Sequence, residues 1–433
     1  MSTLSENLLG SGTWQDRLNR IVTTMREMSE HTDPQEMVQA YSKRMRELSP
    51  GNRMVSLSRR GLREPWYRVT RFSGWERDVN PWQDRDSLPL YDHGIFSELI
   101  YMNEPRIISD LNLHPNDPAS QYLEGQRSLI AVPQFDNGQA LNMVIMAREE
   151  PDSFDPEQLP EFVWITNLFG RATKSLVMAE QLRDKNAQVD FELRRVADIQ
   201  RSLLPSRLPE ISNLKLAAHY ETSQQAGGDY YDFFPLSNDK WGILIADVSG
   251  HGTPAAVMMA VMHSIAHSYD FSVDDRHPSR FLDYLNKKLC QRYTEESGTF
   301  VTAFYAVYDP HTYRLSYSSA GHNPPRLRHC SVETVEALDR AQSLPLGVID
   351  DAEYHDARII LTPNDRLIFY TDGIIESENR DGILFGEERL DSVLTKCRQD
   401  PQEIIDDLLG KLETYTGGIP ALDDRTLLTG RVL

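Results

Sequence analysis

Ala246-Asp247-Val248-Ser249-Gly250-His251-Gly252 follows directly on the apolar run Trp241-Gly242-Ile243-Leu244-Ile245, and how it is read decides the fold of the second half of the chain. A short, near-continuous apolar run ahead of a glycine turn reads as a buried strand, so Asp247 is a carboxylate held where that strand leaves the core. Three further stretches set aspartate beside glycine or a second aspartate: Gly227-Gly228-Asp229-Tyr230-Tyr231-Asp232, Tyr370-Thr371-Asp372-Gly373 and Asp423-Asp424-Arg425-Thr426. Asp-Gly alone is first of all a turn dipeptide. Four acidic stretches in one half, none rich in lysine or histidine, point instead to a shared cleft for hard divalent cations, which take oxygen ligands and keep several waters. Like charges crowded into one cleft need cations to neutralise them. Gly227-Gly228 and the glycines flanking His251 supply the backbone freedom to bring the carboxylates together.

These stretches occur in order with Leu203-Leu204-Pro205, Thr302-Ala303-Phe304-Tyr305, Ser319-Ala320-Gly321-His322-Asn323-Pro324-Pro325 and Leu344-Pro345-Leu346-Gly347. The set, from about Leu203 to Leu433, resembles the metal-dependent serine/threonine phosphatases of the PPM superfamily, in their SpoIIE/RsbU branch. The resemblance implies an α+β chain whose C-terminal part is an αββα sandwich of two antiparallel sheets flanked by helices. It implies that Asp229, Asp247, Asp372 and Asp423 are the catalytic metal carboxylates, with Asp247 bridging two Mn²⁺ or Mg²⁺ ions and the Val248 carbonyl a further ligand. The reaction it implies is in-line attack of a metal-activated water on phosphoserine or phosphothreonine, with a STAS-type anti-anti-sigma protein as substrate partner.

Around that set several residues stay open. Asp424 exchanges roles with Asp423 if the register is off by one, and Asp232 is either a supporting acid or a strand-end acid. Eukaryotic members place an acid histidine two residues after the bridging aspartate. Here Ser249 stands there, so His251 reads as part of a Gly-His-Gly turn, and His322 reads as shaping a loop beside the site. His263 and His267 stand at i and i+4, but without the glutamate of H-E-x-x-H they read as ordinary helical residues. Gly-Gly-Asp-Tyr-Tyr also resembles the Gly-Gly-Asp-Glu-Phe hallmark of diguanylate cyclases, which leaves the other three acidic stretches unexplained. A catalytically silent partner-binding protein is a second alternative, against which all four carboxylates are intact.

The chain has 433 residues, 40% apolar and 25% charged, which fits two soluble domains and a connector. A net charge of -20 disfavours nucleic acid and the anionic inner leaflet as partners. Cys290, Cys330 and Cys397 are widely spaced and suggest neither a disulfide nor a zinc knuckle. The first residues show no signal peptide, and the run from Ala255 to Met262 is too short to span a bilayer, so a soluble cytoplasmic protein is expected.

In the first half, residues 12–30 and 34–48 read as helices, with Asp33 as cap and Pro34 at the first helical position. Strand-like runs follow at 54–58, 66–70, 105–108, 128–133 and 141–146, with a hairpin signal at Asp136-Asn137-Gly138 and a closing helix over 156–177. Residues 1–175 resemble a GAF-type α/β sensory domain, most of all at Arg127-Ser128-Leu129-Ile130-Ala131-Val132-Pro133, with an unknown small molecule or protein as its ligand. No cysteine precedes Cys290, which excludes a thioether-linked bilin there. Residues 176–204 read as a helical linker, with Leu182, Val189, Val196 and Leu203 at one heptad position and Ala179, Asn186, Leu193 and Gln200 at the other. That pattern predicts a short coiled coil and a homodimer, with the phosphatase-like domain over 205–433.

Overall fold

The computed structural model describes residues 13–48, 53–76, 79–82, 84–294, 298–395 and 399–433. The chain forms two compact units, Met1–Asn186 and Ala187–Leu433. The division falls inside the stretch expected to be a linker.

The first unit opens with helices α1 (Trp14–Glu30) and α2 (Pro34–Leu48). The Asp33 carboxylate accepts the backbone N–H groups of Gln35 and Glu36, the capping its position predicted. Next come β1 (Arg53–Ser58), β2 (Tyr67–Phe72), β3 (Leu90–Tyr91), α3 (Ile95–Met102), β4 (Arg106–Ile108), α4 (Ser120–Leu123), β5 (Ser128–Asp136) and β6 (Gln139–Arg148). The strands form one sheet in the order β3-β2-β1-β6-β5-β4, antiparallel throughout. Asn137 and Gly138 turn β5 into β6 with φ of 49° and 79°, as a tight hairpin requires. Alternation along β5 and β6 feeds two cores: Leu129, Ala131, Met143 and Ile145 pack with α3, while Ile130, Val132, Val144 and Met146 pack with Met37, Tyr41 and Phe162.

Helix α5 runs unbroken over 45 residues, Leu159–Leu203. The expected stop near Val177 is absent, because nothing from Leu176 to Leu204 is proline or glycine.

The second unit continues with β7 (Leu214–Glu221), β8 (Tyr230–Pro235), β9 (Trp241–Val248), α6 (Thr253–Ala266), α7 (Pro278–Leu289), β10 (Val301–Asp309) and β11 (Arg314–Ala320). It ends with β12 (Arg326–His329), β13 (Thr334–Ala337), β14 (Gln342–Ser343), β15 (Ala357–Ile360), β16 (Arg366–Tyr370), α8 (Asp372–Ile375), α9 (Gly386–Asp391), α10 (Pro401–Thr416) and β17 (Arg425–Val432). One sheet has the order β14-β11-β10-β9-β8 with β15 beside β11, and the other β13-β12-β16-β17-β7. Their facing residues share one core, in which Ile245 and Phe304 lie with Leu367, Phe369 and Leu428. Phe281, Leu282 and Leu285 of α7 extend that core on the first sheet, and Ile404, Leu408 and Leu412 of α10 pack with Ile368, Tyr370 and Leu427 of the second. Two sheets between helices are the layering the resemblance implied.

Helix α6 is capped by Gly252, with φ of 75°, and Thr253 is its first helical residue. One local expectation is corrected. Cys330 is disulfide-bonded and Cys290 is not, against the expectation of no disulfide. Spacing along the chain does not decide which sulfurs the fold brings within bonding reach; Cys397 lies outside the described residues.

Candidate active site

Each acidic motif stands where a strand of the sandwich begins or ends. Asp229 immediately precedes β8, Asp247 is the penultimate residue of β9, Asp372 opens α8 just after β16, and Asp423 lies two residues before β17. Pairing of β8 with β9 sets Tyr230 opposite Ala246, and pairing of β16 with β17 sets Tyr370 opposite Leu427. Side chains far apart in sequence thus reach one cleft.

Asp229 is buried, and its Oδ2 accepts hydrogen bonds from the hydroxyls of Thr371 (2.7 Å) and Thr426 (2.5 Å). Asp424, also buried, is used otherwise: its Oδ1 accepts the Ser223 N–H at 2.9 Å and its Oδ2 the Gly228 N–H at 2.6 Å. A side chain at Gly227 would collide with that carboxylate, and a Cβ at Gly228 would sit 2.8 Å from the Val248 carbonyl oxygen. These two glycines let the Gly-Gly-Asp backbone lie against both motifs. Asp423 is exposed, and its Oδ1 accepts the Asp424 N–H at 2.8 Å. Adjacent residues point opposite ways, so one aspartate braces the loop and the other faces out.

The electrostatics show how closely the carboxylates crowd. Burial, then the charges of Asp229, Asp372, Asp423 and Asp424, push the Asp247 carboxyl up to about 10. Burial, then Asp423 and Glu376, push Asp372 up to about 6. Asp229 is raised well above the carboxylate range by burial and by Asp424 and Asp372, against the pull of its threonine hydroxyls. Asp423 is raised, again chiefly by burial. Asp372 Oδ1 is buried and has no hydrogen-bond partner. An orphaned acceptor among mutually repelling carboxylates fits hard divalent cations, whose charge would reverse every one of these shifts.

Residues 237–433 match the family model described as Stage II sporulation protein E (SpoIIE). These residues, under half of the chain, are similar to the SpoIIE family. Over 256 residues it is 29% identical to the phosphoserine phosphatase RsbU of Bacillus subtilis, covering 58% of this chain and 73% of that protein. Over 194 residues it is 28% identical to the phosphoserine phosphatase RsbP of the same organism, covering 44% of this chain and 47% of that protein, so it spans about half of RsbP. The fold is that of the SiaA PP2C domain of Pseudomonas aeruginosa, with a TM-score of 0.51 and 23% identity, covering 57% of this chain and 98% of that domain. With a PP2C sandwich in place, the cyclase alternative falls.

Sequence reasoning missed several residues of the second unit. The Gln200 side chain, assigned to a coiled-coil seam, is buried against its own unit. Its amide donates to the Gly227 carbonyl oxygen (2.5 Å) and to Tyr220 Oη (3.3 Å), and its carbonyl accepts the Gly227 N–H (3.1 Å). Gln200 therefore grips the Gly-Gly-Asp backbone and is not available to a partner helix. Thr371 and Thr426 lay in quoted motifs without a role.

His251 is exposed, within hydrogen-bond distance of Gln224 (2.8 Å), and close enough for its charge to lower the Asp423 carboxyl. His322 is buried, 2.8 Å from Thr302 Oγ1, and burial holds its imidazole down to about 4, which suits the loop-shaping role expected of it. Asp232, open in sequence, meets His263 and His267. Among the described residues these three form the only set of three His, Cys, Asp or Glu side chains whose ligand atoms all lie within 4.8 Å of one another. The four motif aspartates are spread more widely.

Proposed function

We propose that this chain is a metal-dependent protein phosphatase that hydrolyses phosphoserine or phosphothreonine on a STAS-type anti-anti-sigma partner, under control of its N-terminal unit. The observation that carries it is the cleft of Asp229, Asp247, Asp372 and Asp423, whose carboxyls are raised by burial and by one another. These residues and the Val248 carbonyl would hold two Mn²⁺ or Mg²⁺ ions, which when bound would supply Lewis-acid activation of water and positive charge for the phosphoryl oxygens. The protein's own part is to hold the donors in place. Thr371 and Thr426 orient Asp229, Asp424 ties the Gly228 backbone to the start of β17, and the α6 turn sets the loop after Asp247. The names of RsbU and RsbP support a phosphoserine substrate.

The test is phosphate release by the full chain from an aryl phosphate and from a phosphoserine-bearing STAS protein. Release should require Mn²⁺ or Mg²⁺, stop with EDTA and return with added manganese. No release from either substrate at any metal concentration would remove this reading.

Control by the first unit rests on three features. A cavity of about 700 Å³ within it is lined by Arg60, Arg68, Trp75, Trp82 and Lys174, a suitable place for a small-molecule signal. On α5, Leu182 and Val189 are 62% and 53% exposed, an apolar stripe that a second copy's helix would cover. Near its end, Gln200 holds Gly227. Changing Val189 and Val196 together to Asp is expected to give a monomer in sedimentation and to alter basal activity; a wild-type monomer at micromolar concentration with unchanged activity in the double variant would count against the linker. Gln200→Ala leaves the buried Gly227 N–H and carbonyl unpaired. It is expected to raise the Mn²⁺ concentration for half-maximal activity by roughly 10- to 100-fold. An unchanged metal dependence would separate Gln200 from the site.

A further inference from the structure

Helix α6 and strand β8 bring together a second ligand set that the phosphatase reading leaves unused. His263 and His267 are one helical turn apart, and the His267 N–H donates to the His263 carbonyl at 3.0 Å, which keeps both rings on one face with centroids 4.4 Å apart. Opposite them, Asp232 of β8 is buried and lies 2.8 Å from His267 Nε2 through its Oδ2. The same Oδ2 accepts the Tyr230 hydroxyl at 2.5 Å, and Oδ1 accepts the Phe233 N–H at 2.7 Å.

We propose that Asp232, His263 and His267 form a separate transition-metal site of the zinc class. Two imidazoles and one carboxylate are borderline ligands, suited to Zn²⁺, Co²⁺ or Ni²⁺ rather than to the hard ions of the all-oxygen cleft. The ion replaces the proton shared by Asp232 and His267. Ligand atoms about 2.0–2.1 Å from a common tetrahedral ion lie only slightly farther apart than that hydrogen bond. His267, half exposed, has room to make the adjustment. Tyr230 and the Phe233 N–H then serve as the outer hydrogen bonds that fix a ligating carboxylate. Solvent at the exposed side of His267 leaves a fourth position for water. An ion here would staple β8, which follows Asp229, to α6, which follows the Asp247 loop.

The experiment uses the full chain, stripped with chelator, saturated with Mg²⁺ and titrated with Co²⁺. Four-coordinate Co²⁺ with imidazole ligands absorbs visible light far more strongly than Co²⁺ in an octahedral oxygen shell. One equivalent giving such a band is expected in the wild type and also in Asp247→Asn, which cripples the oxygen cleft. H267Q, at an exposed position, and H263Q/H267Q should lose the band, and Tyr230→Phe should weaken binding roughly 10- to 100-fold. Zn²⁺ under the same Mg²⁺ saturation should raise the wild-type Tm by about 5 °C or more at a hundredfold excess over Kd, and leave H263Q/H267Q unmoved. No intense band at millimolar Co²⁺, or a band that persists in H263Q/H267Q, overturns the site and leaves the Asp232–His267 pair as a simple hydrogen bond holding the helix end.

Discussion

Asp247→Ala is expected to abolish Mn²⁺- and Mg²⁺-dependent turnover, by about three orders of magnitude or more in kcat, because it removes the carboxylate on which the charges of the other cleft acids converge. Asp247 feels the charges of Asp229, Asp372, Asp423 and Asp424 together, a central position that no other carboxylate in the set shares. A ligand so placed would serve both ions at once, so its loss disturbs the whole metal pair. The substitution should not harm the fold. The removed carboxyl is held up at about 10 by burial and repulsion, so in metal-free protein it is a cost that alanine relieves. Turnover at saturating Mn²⁺, with melting in EDTA as the folding control, gives the answer. Near wild-type turnover in a folded variant would show that Asp247 is not a shared metal ligand.

Local signals in the sequence were legible wherever neighbouring residues decide the structure. Asp33 caps α2, Asn137-Gly138 turns β5 into β6, and the apolar run before Asp247 is a central strand. What could not be read depends on residues distant in the chain. Gln200 fitted a seven-residue pattern, but its true partner is the Gly227 backbone, 27 positions on. Asp423 and Asp424 are equivalent as letters, and only the approach of Ser223 and Gly228 shows which one braces the loop. Asp232 meets His267 across 35 residues and a sheet-to-helix packing that no periodicity encodes. The motif order was specific enough to carry the fold of the second unit. The side chains that support the motifs needed three-dimensional contacts.

Asp372→Asn is expected to cost most of the activity and yet to make the metal-free protein more stable at neutral pH. Asn keeps the shape and one acceptor oxygen of the side chain but not the charge that a hard cation requires. In the metal-free fold, burial first, then Asp423 and Glu376, raise the Asp372 carboxyl to about 6, above its value of roughly 3.9 in an unfolded chain. A carboxyl raised on folding favours the native state fully only below the unfolded pKa, and that contribution is lost as pH climbs through the folded one. Wild type and variant should therefore differ little near pH 4 and diverge between about pH 4 and 6. Above that window the variant should be more stable by on the order of 1–2 kcal/mol, a figure already reduced for solvent screening at a half-open cleft. That corresponds to about 2–8 °C in Tm for a domain of this size. Saturating Mn²⁺ should reverse the order, because only the wild type gains the full free energy of ion binding. Melting curves in EDTA at pH 4 and pH 7, repeated at pH 7 with Mn²⁺, test each step. A variant that melts below wild type in EDTA at pH 7, or a difference that ignores both pH and metal, would mean that Asp372 does not share the repulsion of the acidic cleft.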